Sequence, residues 1–486
     1  MNNLNFLVDV LKESPVFKTL EKNVKPGRTV CASGLSTINK SNIIYALCRL
    51  KGVTAFCLAS DEKEAQTLCN DLSCMGLRAY VYPVRDFNFL DFQSRSHEYE
   101  HARLKVLLKL LNHECDVAIA CVDAAAQLTV PRNVLEQSVI EFEEGRELSL
   151  EKATKALTLL GYERFDAVEG SGQFSLRGGI LDFFMPDSDY PVRCEFWGDE
   201  ITDLSYFDIE TQRRFKKADK ITLSPSTEIV IEDRAALADK IEHKAKLLRS
   251  KNSAKAKEKL FSEAELIRSG AMIANADKFI NQIYDKPESL FDYLDRNTLV
   301  FASEFTAIQE RGKSMDFISN ETLMQGFEDG TLCRGFDRFA LTFNECTEFL
   351  QSHGTIVLEN FVHGSMPIKL SEIISFSTKQ LSAWGGSYKQ LKEDVDGLFT
   401  PESKGVIFAG TERAAKNLCD TFNADGINAV YSEGADKISK GELLVMQGAL
   451  SAGFEYPSQK FFAITYSQVS YRPEKSKKKK SHSTQN

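Results

Sequence analysis

The run with the most recognisable chemistry is Gly34-Leu-Ser-Thr-Ile-Asn39-Lys40-Ser41. A working phosphate loop reads G-x-x-x-x-G-K-[S/T] between a strand and a helix. There the backbone N–H groups and the helix N-terminus wrap the phosphates, Lys reaches the terminal ones, and Ser or Thr holds magnesium. Gly34, Lys40 and Ser41 fit this pattern. Asn39 stands at the second glycine, where a side chain crowds the backbone approach, although Asn tolerates positive φ better than most residues. Such a site also needs a metal-holding Asp at the end of another core strand. The apolar run 298–303 ends in Ser303-Glu304, so the first carboxylate of that pair is missing. With phosphate fit and metal charge both impaired, the expectation is a vestigial nucleotide site, no ATP hydrolysis and no cofactor held by this chain. The plainer alternative, that Lys40 and Ser41 are the first turn of a surface helix, stays open.

A second set of residues suits recognition. In PVRCEFWGD, strand alternation sends Val192, Cys194 and Phe196 to one face and Arg193, Glu195 and Trp197 to the other. The first set is apolar and belongs in a core, which leaves Trp197 outward beside Arg193. In FSLRGG, Phe174 and Leu176 are expected inward, with Ser175 and Arg177 outward. If the two strands are neighbours, Arg177, Arg193 and Trp197 share one face, and Trp and Arg dominate interface hot spots. Two other readings compete: Trp197 packed under a charged helix with the arginines in surface salt bridges, or a base-stacking nucleic-acid surface. Glu195, Asp199 and the net charge weigh against the last.

The elements that must position these residues follow from periodicity. The short apolar runs 28–33, 54–60, 78–84 and 116–122 alternate with helical segments at 39–50, 61–75 and 95–113. This predicts an open parallel sheet with helices on its faces. From 137 to 222 a helix gives way to strands joined by polar turns, the pattern of a small inserted α+β domain. Residues 233–290 read as charged helices whose polar residues form a solvated face. The run 298–303 reads as a strand returning to the first sheet. The expected division is 1–136 and 223–340 for the first α/β domain, 137–222 for the insertion, 345–468 for a second α/β domain, and 469–486, with Lys477–Lys480, for a basic tail. GTIVLEN (354–360) is assigned to the second α/β unit.

Composition narrows the function classes. The chain has 486 residues, 43% hydrophobic and 27% charged, enough for several packed domains. A net charge of −9 argues against a duplex-wrapping protein, which needs surplus Lys and Arg. The 11 cysteines show no paired metal spacing, and Cys69 and Cys74 share one apparent helix; a reducing cytosol with thiols as core residues fits. No signal peptide and no run near ~18 apolar residues is seen, so a cytoplasmic protein without membrane attachment is expected.

The stretch GSGQFSLRGGILDFFMP…YPVRCEFWGDEITDLSYFDIETQRR resembles the domain shared by the excision-repair protein UvrB and the transcription-repair coupling factor (Mfd) family. The altered loop at 34–41, YPVRDFNFLDFQSRSHEYEHARLKVLLKL, YDKPESLFDYLDRNTLVFASE and LLVMQGALSAGFEYPSQKFFAIT also resemble that family, so the likeness covers nearly the whole chain. UvrB carries a working phosphate loop and a long DNA-clamping hairpin, for which the segment from Phe87 to Glu98 is too short. The resemblance therefore implies a degenerate helicase-like module that kept recruitment and dropped catalysis. It implies UvrA as partner, with Arg177 and Arg193 matching two contact arginines and Trp197 standing where Phe is familiar. It also implies RNA polymerase and double-stranded DNA as partners of the longer family protein, with ATP and magnesium serving its translocase domains. Those domains and a C-terminal domain thought to cover the UvrA-binding face are not in this sequence, so a piece of a longer protein with an open face is expected.

Overall fold

The computed structural model describes residues 4–85, 97–137, 140–249, 253–270, 276–362, 366–385 and 387–466. Most of the segment Phe87–Glu98, parts of the charged 233–290 stretch and the whole basic tail lie outside these residues.

A seven-stranded parallel sheet organises the first domain, in the order 372–375, 30–33, 355–358, 299–303, 55–59, 117–121 and 79–82. Its central strands VCAS, TIVL, AFCLA and VAIAC are buried along their whole length. Helices cover both faces, so the continuous apolar runs have no solvated side to alternate with. Thr37–Lys51, Glu62–Cys74 and Glu98–Leu111 realise the expected helices. Leu299–Ser303 joins this sheet between 355–358 and 55–59.

One assignment needs correction. GTIVLEN does not open the second α/β unit: Thr355–Leu358 pairs with Val30–Ala32 on one side and Val300–Ser303 on the other. Glu372–Ser375 extends the same sheet beyond Val30–Ser33. The first domain therefore runs on to about residue 376. Strand–helix alternation continues unbroken through this region, and a fully buried strand has the same composition in either sheet.

The last unit carries a six-stranded sheet in the order 379–381, 453–456, 461–465, 404–408, 442–446 and 429–431. Helices Tyr388–Leu398 and Glu412–Ala424 flank it. The charged segment forms two helices, Arg234–Leu247 and Ser253–Arg268, whose apolar sides meet around Leu237, Ile241, Leu260 and Ile267. All 11 cysteines are free and only Cys74 is less than fully buried. No described helix is long and apolar enough to cross a membrane, and the described residues hold no metal-ligating cluster.

The inserted domain is a six-stranded sheet ordered 214–217, 200–207, 192–197, 180–183, 173–177 and 163–164. A separate pair joins Ile140–Glu143 to Lys220–Leu223. Phe174, Leu181, Phe183, Val192, Cys194 and Phe196 fill its core beneath helix Leu150–Leu159.

Candidate functional site

At Gly34–Ser41 the chain's own groups take up the donors that a phosphate would need. Gly34 has φ +80°, and a Cβ there would lie 2.2 Å from the Phe376 carbonyl oxygen, so only glycine fits. The N–H groups of Gly34 and Leu35, which a phosphate would need, donate to the carbonyls of Asn360 and Glu359 at 3.1 Å. Asn39 uses no positive φ; it sits buried in the first turn of helix Thr37–Lys51, its Oδ1 accepting from the Ser36 hydroxyl at 2.7 Å. Lys40 is not a surface residue. Its buried Nζ donates to Glu304 at 2.6 Å, Ser303 Oγ at 2.9 Å and Glu64 at 3.3 Å.

Ser41, the magnesium position of a working loop, donates to buried Asp71 at 3.3 Å. Asp71 in turn accepts from the N–H and hydroxyl of Ser451, both at 2.7 Å, and Asn42 donates to Tyr456 at 3.0 Å. The first turns of helix Thr37–Lys51 thus hold the last α/β unit. Burial pushes the Asp71 carboxyl up to about 6 against the Ser451 and Ser41 hydrogen bonds. Glu359 is fully buried, accepting from the Phe305 N–H at 2.7 Å; burial and the adjacent Glu304 carboxylate raise it to about 7. Burial also opposes ionisation of Glu64, but the Lys40 ammonium and the Ser303 and Ser60 hydroxyls hold it below its ordinary range. Sequence reasoning missed Glu64, Asp71 and Glu359. Their one signal was a carboxylate within or beside an otherwise apolar element.

The inserted domain presents the opposite arrangement. The strands bearing Arg177 and Arg193 are not neighbours, because Ile180–Phe183 lies between them, folded back through the Gly178-Gly179 turn. Registers nonetheless put the three residues on one side of the sheet. Ser175 opposes Asp182, which opposes Arg193, and Arg177 opposes Ile180, which opposes Glu195. Trp197 is two residues beyond Glu195 on that side. Burial along Val192–Trp197 alternates as the period-two reading expects. Ser175 departs from expectation: it is buried, its hydroxyl donating to the Asp166 carbonyl at 2.8 Å.

Asp182, absent from the sequence reading, organises this face. Its buried carboxylate accepts from Arg193 Nε at 2.7 Å and Nη2 at 2.8 Å, and from Arg177 Nη2 at 3.0 Å. Arg193 also donates to the Gln212 carbonyl and side chain at 3.1 Å and lies 4.4 Å over the Phe207 ring. Its side chain is 13% exposed, while that of Arg177 is 52% exposed. Trp197, packed under no helix, is 82% exposed at the Gly198-Asp199 turn. A buried acid thus fixes two guanidinium groups on the sheet face that carries an uncovered indole.

Fold and face together describe an α/β chain carrying an inserted interaction domain. Residues 140–229 match the family model of the UvrB interaction domain. Beyond that domain the chain is similar to transcription-repair coupling factors. It is 26% identical to that of Bacillus subtilis (strain 168) over 469 residues, covering 94% of this chain and 39% of the relative. It is 25% identical to a Staphylococcus epidermidis (strain RP62A) relative, covering 84% of this chain and 35% of the relative. With that of Staphylococcus aureus (strain MRSA252) it shares 22% identity, covering 99% and 42%. The chain therefore spans about two-fifths of the length of these curated relatives, and the resemblance read from the sequence is borne out over most of it.

Proposed function

We propose that this chain is the recruiting part of a transcription-repair coupling system. It would present Arg177, Arg193 and Trp197 to UvrA so that excision repair reaches a lesion that has stalled RNA polymerase. The observation that carries this reading is the uncovered Trp197 on the same sheet face as two acid-anchored arginines, within the segment that matches the UvrB interaction domain. A large exposed aromatic beside pre-positioned Arg is the composition of an interface anchor. Trp also loses little conformational freedom on docking, and the Asp182 clamp lowers the ordering cost of both arginines. Nucleotide chemistry has no part in this reading. The loop N–H groups and Lys40 already serve the chain's own carbonyls and carboxylates, so phosphate would have to displace buried protein contacts.

The test is calorimetric titration of UvrA into the parent chain, Trp197→Ala and Arg177→Ala. Trp197→Ala should weaken binding by about 2 kcal/mol or more, and Arg177→Ala by less, both with unfolding curves like the parent's. Equal binding by all three would move the interface elsewhere, and absence of binding by the folded parent would remove the recruitment reading. Magnesium-dependent ATP hydrolysis by the folded parent would restore the weak ATPase reading at Gly34–Ser41.

A further inference from the structure

At the opposite end of the first sheet from the altered loop, a cavity of about 290 Å³ opens beneath the starts of four adjacent strands. Lys25, Arg28, Lys51, Arg296 and His353 line it. Among the described residues Lys25, Lys51 and Arg296 have no carboxylate partner. Arg28 meets only Glu372, at 3.5 Å, and its buried Nε has no acceptor. The nearest carboxylates of the adjoining cavity are already taken, Asp116 by Arg78 at 2.7 Å and Asp295 by Arg132 at 3.1 Å. In a chain of net charge −9, this local excess of cations is not a by-product of composition.

Helix dipoles account for part of it. Lys51 ends helix Thr37–Lys51 and Lys25 follows helix Pro15–Asn23, where cations stabilise the carbonyl ends. They do not account for Arg296, in the loop before Leu299, or for the partnerless Nε of Arg28. Like charges gathered around one cavity repel each other unless an anion joins them. Guanidinium and ammonium donors are the groups that hold phosphate oxygens. The cavity lies at the lower end of small-molecule sites, room for a phosphate chain rather than a polymer-spanning groove. We propose that this cavity binds an oligophosphate group, either free or as the di- or triphosphate of a small nucleotide.

The experiment is calorimetric titration of the full chain with inorganic pyrophosphate and, separately, ADP, at fixed ionic strength. It is repeated on Lys51→Gln/Arg296→Gln and on Lys25→Gln, all at exposed positions, with unfolding curves to confirm folding. The parent should bind, the double variant should bind about tenfold or more weakly, and Lys25→Gln should fall between. Lys155→Gln, which removes a cation paired with Glu151 on the inserted domain, should match the parent. Tighter binding of ADP than of pyrophosphate identifies a nucleotide as the source, and equal binding identifies free oligophosphate; either supports the site. A parent that fails to saturate, or a double variant that binds equally, overturns it. A short single-stranded oligonucleotide that binds more tightly than pyrophosphate and loses affinity in the same variants would overturn the ligand class.

Discussion

The Lys40 and Asp182 clusters are built from similar parts arranged in reverse. At Lys40 the cation is buried and carboxylates close over it from three segments, Glu64, Glu304 and the neighbouring Glu359. At Asp182 the carboxylate is buried and the cations lie outward, with Arg177 and Trp197 reaching solvent. Desolvation penalises a buried charge, and only a complete set of partners offsets that penalty. The first cluster completes its set within the chain and acts as structure. The second holds Arg193 within the domain and leaves Arg177 and Trp197 exposed. Burial of one sign determines which sign is presented.

The largest expected effect tests the first half of that contrast. Lys40→Met should destabilise the chain by about 3–5 kcal/mol, the range for removing one partner of a buried ion pair, read from denaturant unfolding. A change below about 1 kcal/mol would place Lys40 among ordinary surface pairs and dissolve the contrast. Next comes Arg193→Ala. Because Arg193 supplies two of the three hydrogen bonds to buried Asp182, it should cost stability, about 2–3 kcal/mol, as well as partner binding. Its loss of UvrA binding therefore mixes folding with contact, unlike that of Trp197→Ala. Arg193→Lys, retaining charge without the fork, should recover only part of the stability.

How far the sequence discloses these clusters depends on how local their geometry is. The alternation Val192, Cys194, Phe196 against Arg193, Glu195, Trp197 is a period-two pattern within six residues, and it places Trp197 outward unaided. Asp182 was hidden because ILDF reads as an apolar run, and nothing local shows that its carboxylate lies between two arginines on flanking strands. The loop at 34–41 stood out in the sequence by its spacing alone. Its partners come from residues 64, 71, 304 and 359, brought together by a fold that no spacing encodes. For the same reason Thr355–Leu358 was assigned to the wrong sheet: burial on both faces erases the alternation that would mark its neighbours.

Trp197→Ala sharpens the second half of the contrast. An 82% exposed side chain contributes little to folding, so unfolding should shift within about 0.5 kcal/mol. A loss of UvrA binding near 2 kcal/mol on a chain of unchanged stability would show contact and fold to be separable at this face. A marked loss of stability would mean that the indole is structural after all.

The smallest expected effect is a pH slope, and it arises where carboxylates are buried. Burial and Glu304 raise Glu359 to about 7, so the folded chain holds a proton that the unfolded chain releases near the ordinary carboxylate range. The unfolded state therefore binds fewer protons between about pH 4.5 and 7, and the Glu359 contribution to stability falls as pH rises through that window. Asp71, raised to about 6 by burial, adds a slope of the same sign at slightly lower pH. Glu359→Gln keeps an acceptor for the Phe305 N–H and removes the ionisation. Its stability relative to the parent should therefore be more favourable at pH 8 than at pH 5, by about 1–2 kcal/mol. Parallel pH curves for the two chains would mean that Glu359 ionises without cost beside Glu304. The Lys40 cluster would then be open enough to solvent to differ little from the Asp182 face.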